Sequence, residues 1–198
     1  MDKANISEWI YVIDNKKENS YRFALGEIGE KMLGIIGVNP SKAKPNEPDA
    51  TIRFVREISK NNGYDGWLMF NVFPQKSTDP NGMDLTPQNG VLKLNNEIVS
   101  NKVDDLKIET IWCAWGNEIE KRSYLPIALI NMYLKNLKTK KLMFVTLGLT
   151  NQGHPKHPLR QNYDSKLISF DIEKYIDSTL KPLIFNVGVI SIDGIKID

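Results

Sequence analysis

The sequence predicts an α/β fold: a three-layer α/β/α sandwich on a short, mostly parallel sheet, with a β-hairpin at its N-terminal border. Four near-continuous apolar runs have strand length, and the segments between them are long enough for crossover helices. Near-continuous apolar runs are typical of strands that are covered on both faces. The order β-α-β-α-β-α-β therefore indicates a parallel sheet between two helical layers.

The predicted elements follow one another along the whole chain. An N-terminal hairpin pairs Trp9–Ile13 with Tyr21–Leu25 across a polar segment. Pro126 should kink or restart the helix in which it lies, and a closing helix is expected over Phe170–Leu180, before a tail that favours an edge strand or hairpin. The strands and helices of the core are expected, in order, at Met32–Val38, Ala50–Asn62, Trp67–Phe73, Pro87–Val103, Thr110–Trp115, Asn117–Leu137 and Leu142–Leu149.

Composition favours one domain over residues 1–198, with the hairpin in 1–30, the core in 31–160 and the closing elements in 161–198. Hydrophobic residues make up 41% and charged residues 25%, which permits a packed core. A net charge of +2 is far below that of a nucleic-acid coat protein. Cys113 is the only cysteine, which excludes a disulfide framework. No apolar run approaches the roughly 20 residues of a membrane span, so we expect a cytoplasmic protein with no membrane partner and no cofactor.

Polar residues gather where the predicted strands end. These ends are Gly37–Ser41, Asn71–Gln75, Trp115–Glu118 and Thr150–Leu159, and each carries an amide or imidazole beside glycine or proline. Ligands of open α/β sheets bind beyond the carboxyl ends of the strands. Proline fixes the backbone, and a stiff loop suits a preorganised site. The sequence therefore predicts a site at this edge of the sheet.

Both histidines of the chain lie in the last of these loops, "LGLTNQGHPKHPLR". His154 and His157 resemble a metal-binding pair in spacing, but the proline after each disfavours the helix that would align them. No cysteine or carboxylate lies nearby in sequence, so no metal site is expected. Asn39 and Asn71, taken singly, are equally compatible with helix caps or turns.

The order of the motifs resembles a bacterial domain family of unknown function, family 1643. The motifs that carry the resemblance are "NPS", "DATIRFVREISKNNGYDGWLMFNVFP", "STDP", "WCAWGN" and "LGLTNQGHPKHPL". The resemblance covers the chain from Tyr21 to Leu159, and it implies no reaction.

A more distant resemblance, to the uracil-DNA glycosylase superfamily, does imply a reaction. Gly37-Val38-Asn39-Pro40 is similar to a first-strand G-x-[ND]-P motif that positions a water, in the form of the mismatch-specific branch. Asn71 resembles a second-strand asparagine that reads the base edge, and "WCAWGNEIEK" resembles the third-strand segment. The loop from His154 to Leu159 resembles an H-P-S-P-L loop that supplies a histidine and an intercalating leucine. It is one residue longer here, so either histidine can hold the family role.

The strand ends and this resemblance together nominate the site. Phe54 is the candidate for the aromatic that stacks on the base. Catalytic roles are expected for Asn39 and for His154 or His157. Substrate-binding roles are expected for Gly37, Pro40, Ser41, Asn71, Phe73, Asn117, Asn151 and Leu159, and phosphate or backbone contacts for Arg53, Lys156 and Arg160.

Hydrolysis of an N-glycosidic bond is the reaction expected for this set. Cleavage leaves positive charge on the sugar and negative charge on the base, so an imidazole N–H that donates to the base oxygen would assist. The expected function is a glycosylase-like protein that hydrolyses such a bond, or that recognises a base in DNA or a nucleotide. The alternatives are a non-catalytic nucleic-acid or nucleotide-binding module, and a small-metabolite hydrolase that uses an imidazole in the same cleft.

Overall fold

The computed structural model describes residues 8–14, 21–187, 191–192 and 195–196. Seven strands form one sheet in the order β1-β2-β4-β3-β5-β6-β7. These strands are β1 (Trp9–Asp14), β2 (Tyr21–Glu27), β3 (Met32–Gly37), β4 (Gly66–Asn71), β5 (Thr110–Cys113), β6 (Met143–Thr146) and β7 (Ile168–Ser169). The helices are α1 (Ala50–Asn61), α2 (Val91–Asp105), α3 (Tyr124–Met132), α4 (Ile172–Tyr175) and α5 (Lys181–Val187).

The four central strands run parallel, and the strands at both borders run antiparallel to their neighbours. β4, β3, β5 and β6 form the parallel part of the sheet. β1 pairs with β2 as an antiparallel hairpin, β2 pairs with β4, and β7 pairs with β6. The predicted α/β sandwich with a mostly parallel sheet and an N-terminal hairpin is thereby confirmed.

Side chains of successive strand residues pack into two separate cores. Leu33 and Ile35 of β3 pack with Ile52 of α1, and Ile36 lies in the other cluster with residues of α2 and α3 such as Val99. Both β3 and β4 are buried along their whole length. This burial explains why their sequences are continuously apolar rather than alternating.

Several predicted boundaries shift for local reasons. α2 begins at Val91 rather than Pro87, after Gly90 at a φ of +79°. β6 ends at Thr146, because Gly148 has a φ of +99° that an extended strand does not accommodate. Pro126 lies in the first turn of α3, where a missing N–H breaks no helical hydrogen bond.

The C-terminal region extends further than predicted as helix. The predicted closing helix starts at Ile172 with Asp171 as its N-cap, passes through a π-helical segment, Ile176–Leu180, and ends at Val187. Beyond it, β8 (Ser191–Ile192) and β9 (Ile195–Lys196) pair antiparallel, which is the hairpin form of the predicted tail. None of the helices in the described ranges is long and apolar enough to span a lipid bilayer.

The direction of the crossovers changes at β3. The chain leaves β3 through α1 to reach β4 on one side, then passes through α2 to reach β5 on the other side of β3. α1 and α2 pack on opposite faces of the sheet. Such a switch point opens a crevice at the carboxyl ends of β3 and β5. Ligands of open α/β sheets bind in crevices of this kind.

Candidate functional site

A cleft of about 600 Å³ opens at the carboxyl ends of β3 and β5. Its walls come from the loop after β3, the first turn of α1, the loop after β4, the turn after β5 and the segment from Thr150 to Gln161. The volume lies within the range of small-molecule sites, about 300–1,000 Å³. Three of the four predicted strand ends thus meet around one cavity, whereas no residue of the fourth, Asn71–Gln75, lines it.

The structure divides the sequence-predicted residues into two sets. One set lines the cleft: Gly37, Asn39, Ser41, Asn117, Lys156, His157, Leu159 and Arg160. The other set does not line it: Pro40, Arg53, Asn71, Phe73, Asn151 and His154. Phe54, the candidate for base stacking, also lies outside, with its ring stacked on Tyr163 at a centroid separation of 4.5 Å.

His157 is the histidine of the cleft. Its Nδ1 accepts a hydrogen bond from the backbone N–H of Leu159 at 3.1 Å, so in the neutral ring the proton is on Nε2. Burial lowers the pKa of His157, an effect that the charge of Asp49 partly opposes. His157 is therefore a neutral imidazole at pH 7 that has an N–H left to donate.

Gly116 makes room for His157. It has a φ of +61°, and a Cβ added to it would lie 3.2 Å from Cβ of His157. Its backbone N–H donates to the carbonyl of Pro155 at 2.8 Å, which ties the turn after β5 to the histidine loop. A glycine here meets both the positive φ and the close approach.

His154 is fully buried in a hydrogen-bonded chain behind the cleft. The indole N–H of Trp115 donates to the hydroxyl of Tyr175 at 2.9 Å, and that hydroxyl lies 2.8 Å from Nδ1 of His154. The Glu120 carboxylate can only accept, so Nε2 of His154 carries the ring proton, and in the neutral ring Nδ1 accepts from the Tyr175 hydroxyl. Nε2 of His154 then donates to Oε1 of Glu120 at 2.6 Å. This chain anchors the loop that carries His157.

Asn39 keeps an acceptor free at the end of β3. Its Nδ2 donates to the carbonyl of Ser77 at 2.9 Å, which fixes the orientation of the amide. Its Oδ1 accepts no hydrogen bond from the residues that the structure describes. Asn39 therefore supplies an oriented amide oxygen to the cleft. This oxygen can accept a hydrogen bond from a water or from a ligand N–H.

Asn71 lies next to Gly37, which lines the cleft. It is fully buried, and neither Nδ2 nor Oδ1 has a partner within the described ranges. It stands opposite Gly37 in the parallel register, and a Cβ on Gly37 would lie 3.1 Å from Oδ1 of Asn71. An unpaired buried polar group costs about 1–3 kcal/mol. Asn71, predicted as the base reader, thus lies beside a lining residue of the cleft but does not line the cleft itself.

Sequence reasoning missed two charged residues of the cleft. Arg22 of β2 is 1% exposed, and Glu118 after β5 is half-buried with an Oε2 that has no partner among the described residues. Burial lowers the pKa of Arg22 to about 10, with an opposing effect from Asp49. A charged residue within the apolar strand "YRFAL" was the signal for Arg22, and the "WGNE" motif contained Glu118.

The remaining predicted residues have other contacts in the structure. Phe73 is buried and packs edge-on against Tyr124 at a centroid distance of 5.2 Å. Arg53 donates from Nη1 to the carbonyl of Pro48, at the start of α1. Asn117 accepts from the hydroxyl of Thr150 at 2.7 Å, a bond that joins two walls of the cleft. In the part of the chain that the structure describes, no three His, Cys, Asp or Glu side chains group as a metal-ligand set.

Comparison with known proteins identifies one family. The model of a family described as "Protein of unknown function (DUF1643)" matches residues 22–159. The match begins at Arg22 and ends at Leu159, so all but the last two lining residues of the cleft fall within it. No curated protein matches the chain.

Proposed function

The chain belongs to the DUF1643 family of proteins of unknown function, and from its cleft we propose that it is a glycosylase-like protein that hydrolyses the N-glycosidic bond of a base-bearing ligand. One observation carries this proposal. A neutral imidazole (His157), an oriented amide oxygen (Asn39) and a carboxylate (Glu118) line the same nucleoside-sized cleft.

The three groups match the charges that develop in the reaction. A water oxygen bonds to the anomeric carbon of the sugar, the carbon–nitrogen bond breaks, and its electron pair goes to the base. Asn39 orients the water through Oδ1, and Glu118 takes a proton from it. His157 donates from Nε2 to the base oxygen on which negative charge grows. The proton held by Glu118 then passes to the departing base, which restores the carboxylate.

Asn71 supports recognition of a base in this cleft. Its side-chain amide has an NH₂ group that donates and a carbonyl oxygen that accepts. This combination pairs with the edge of a heterocycle. Neither atom is used by the described part of the protein. Asn71 itself has no exposed surface and does not line the cleft, so a base reaches this amide only if the backbone at Gly37 shifts.

Base release tests the proposed function directly. The purified protein is incubated with nucleosides, nucleoside monophosphates and oligonucleotides that contain uracil, a mismatched thymine or an alkylated base, and free base is measured by chromatography. We expect Glu118→Gln, Asn39→Ala and His157→Asn each to reduce release by about 10²–10⁴-fold. Asn151→Ala is the matched amide control, because Asn151 is exposed and outside the cleft. Release that the three cleft variants leave unchanged contradicts the proposal.

Binding without turnover is the alternative function, and the neutral side chain of Asn39 favours it. A nucleic-acid or nucleotide-binding module would hold the base without activating water. Leu159 is 36% exposed and lines the cleft beside Arg160, and in such a module its side chain would insert between stacked bases. Salt-dependent binding of oligonucleotides with no base release would support this alternative over the enzyme. Release of a product from a metabolite without a base would instead support a small-metabolite hydrolase.

A further inference from the structure

Arg22 is a buried cation that the protein leaves partly unpaired. Its Nη1 donates to the carbonyl of Ala43 at 2.8 Å and approaches that of Ser41 at 3.5 Å. Nε has no partner, and no carboxylate of the described residues lies within ion-pair distance of the guanidinium. Burying a charge without a counter-ion is costly. The side chain nevertheless lines the cleft with the small part of its surface that is exposed.

The first turn of α1 lies in the same wall of the cleft. Thr51 and Ile52 both line the cavity, and Asp49 caps the helix by accepting from the N–H of Ile52 at 2.9 Å. The N–H of Thr51 belongs to the first-turn donors that have no partner within a helix. No acidic residue occupies this first turn. The free N–H of Thr51 favours an anion, while the N-cap carboxylate of Asp49 already offsets part of the positive helix end.

The charges around this end of the cleft are mostly positive. Arg22, Lys156 and Arg160 line the cavity, against one lining carboxylate, Glu118, and the N-cap carboxylate of Asp49, which acts on Arg22 and His157 from beside the cavity. The positive charge of Arg22 also acts on Lys76. Burial first, and then the charges of Arg22 and Lys44, lower the pKa of Lys76.

We propose that Arg22 and the first turn of α1 form a subsite for a phosphate monoester, together with the hydroxyl of Thr78, which lines the same cleft. A phosphate supplies several strong acceptors that match a planar guanidinium, an N–H and a hydroxyl together. The identification of the ligand as a nucleoside monophosphate rests on the proposed function, because the base is placed by that proposal. The anion subsite itself does not depend on it.

A charge introduced into the subsite gives the sharpest test. Thr51→Glu places a carboxylate in the first turn of α1, where it stabilises the helix but repels a phosphate. Thr51→Gln is the matched control of similar size without the charge. Inorganic phosphate, a nucleoside monophosphate, the corresponding nucleoside and an unphosphorylated oligonucleotide are titrated by calorimetry into the full chain. We expect Thr51→Glu to weaken phosphate and nucleotide binding about tenfold or more, without lowering the melting temperature.

A second pair of variants tests the guanidinium. Arg22→Met should abolish measurable phosphate binding, and Arg53→Met, on the exposed side of α1, should retain it. If Arg22→Met does not fold, the Thr51 pair alone decides. Phosphate binding that is equal in all variants, or absent from the wild-type protein, overturns the subsite. Equal binding of the unphosphorylated oligonucleotide overturns the assignment to a free monoester.

The same titrations separate this subsite from the proposed function. Nucleoside binding that survives while phosphate has no effect overturns the subsite alone. Phosphate binding that Thr51→Glu removes, with no preference for a nucleotide over inorganic phosphate, supports the subsite and contradicts the base-bearing ligand.

Discussion

Nε2 of His154 lies 2.6 Å from Oε1 of Glu120, and this bond separates the roles of the two histidines. His154 has both ring nitrogens engaged and no exposed surface. His157, three positions later, uses only Nδ1 and lines the cleft. The loop "HPKH" therefore contains one residue that holds the loop in place and one that is available to a ligand.

Replacement of the two histidines should have opposite consequences. His154→Ala leaves the Tyr175 hydroxyl and the Glu120 carboxylate without their partner, so we expect the free energy of unfolding to fall by about 2–4 kcal/mol. In a domain of this size that corresponds to a melting temperature roughly 4–16 °C lower. His157→Ala should change the melting temperature little and remove ligand binding or base release. Urea denaturation and the base-release assay measure the two effects, and an equal loss of stability in both variants would contradict the division of roles.

The lowered pKa of His157 predicts a pH dependence with a definite sign. In the unfolded chain a histidine binds its proton near pH 6.5, whereas in the folded protein burial lowers that pKa. As the pH falls through about 6.5, the unfolded chain takes up the proton first, so folded stability is lost. The loss is complete once the pH is below the folded pKa, and it is absent well above 6.5.

Subtraction isolates this contribution from that of the carboxylates. The free energy of unfolding is measured from pH 8 to pH 5 for the wild-type protein and for His157→Asn. We expect the wild-type protein to lose stability relative to the variant as the pH is lowered through 6.5. A relative gain towards acid would mean that the histidine is stabilised in its charged form, and the neutral donor role would then be wrong.

The sequence predicted the sheet because burial leaves a pattern along the chain. β3 and β4 are covered on both faces, so every position except Asn71 at the end of β4 lacks a polar side chain, and α1 repeats its buried residues at helical spacing. The edge strand β7 was not predicted, because two exposed residues carry no pattern. The position of the cleft followed from the strand ends, since the carboxyl ends of parallel strands share one edge.

Side-chain roles were less predictable than positions. His154 and His157 are each followed by a proline. Only the tertiary contacts of His154, with the chain formed by Trp115, Tyr175 and Glu120, distinguish the two histidines. Those partners lie up to 39 positions away from His154 in sequence, in elements that no local motif connects. Arg22 was not predicted as a site residue because it lies within a strand of the hairpin rather than in a loop.

The unpaired amide of Asn71 predicts a trade-off between stability and recognition. Asn71→Leu replaces two unsatisfied polar atoms with an apolar side chain of similar volume, so we expect the free energy of unfolding to rise by about 1–3 kcal/mol. Binding of the base-bearing ligand should weaken in the same variant. Asn95→Leu is the matched control, because Nδ2 of Asn95 donates to the carbonyl of Asn71 at 2.8 Å. It should destabilise the protein, and denaturation curves of the two variants that move in the same direction would rule out a purely functional amide at Asn71.

Gly116, in the turn after β5, allows the effect of backbone strain to be separated from the effect of moving His157. Gly116→Ala and Gly63→Ala both place a side chain at a positive φ, +61° and +81° respectively. We expect each to cost about 1–2 kcal/mol of unfolding free energy. A Cβ at Gly63 meets nothing within 4 Å, whereas one at Gly116 lies 3.2 Å from Cβ of His157. Only Gly116→Ala pushes on His157, by a few tenths of an ångström, so it alone should reduce ligand affinity or base release, by up to about tenfold, since a shift of about 1 Å can cost about 10²-fold. Equal activity in the two variants, at equal loss of stability, would mean that the position of His157 does not matter to the reaction.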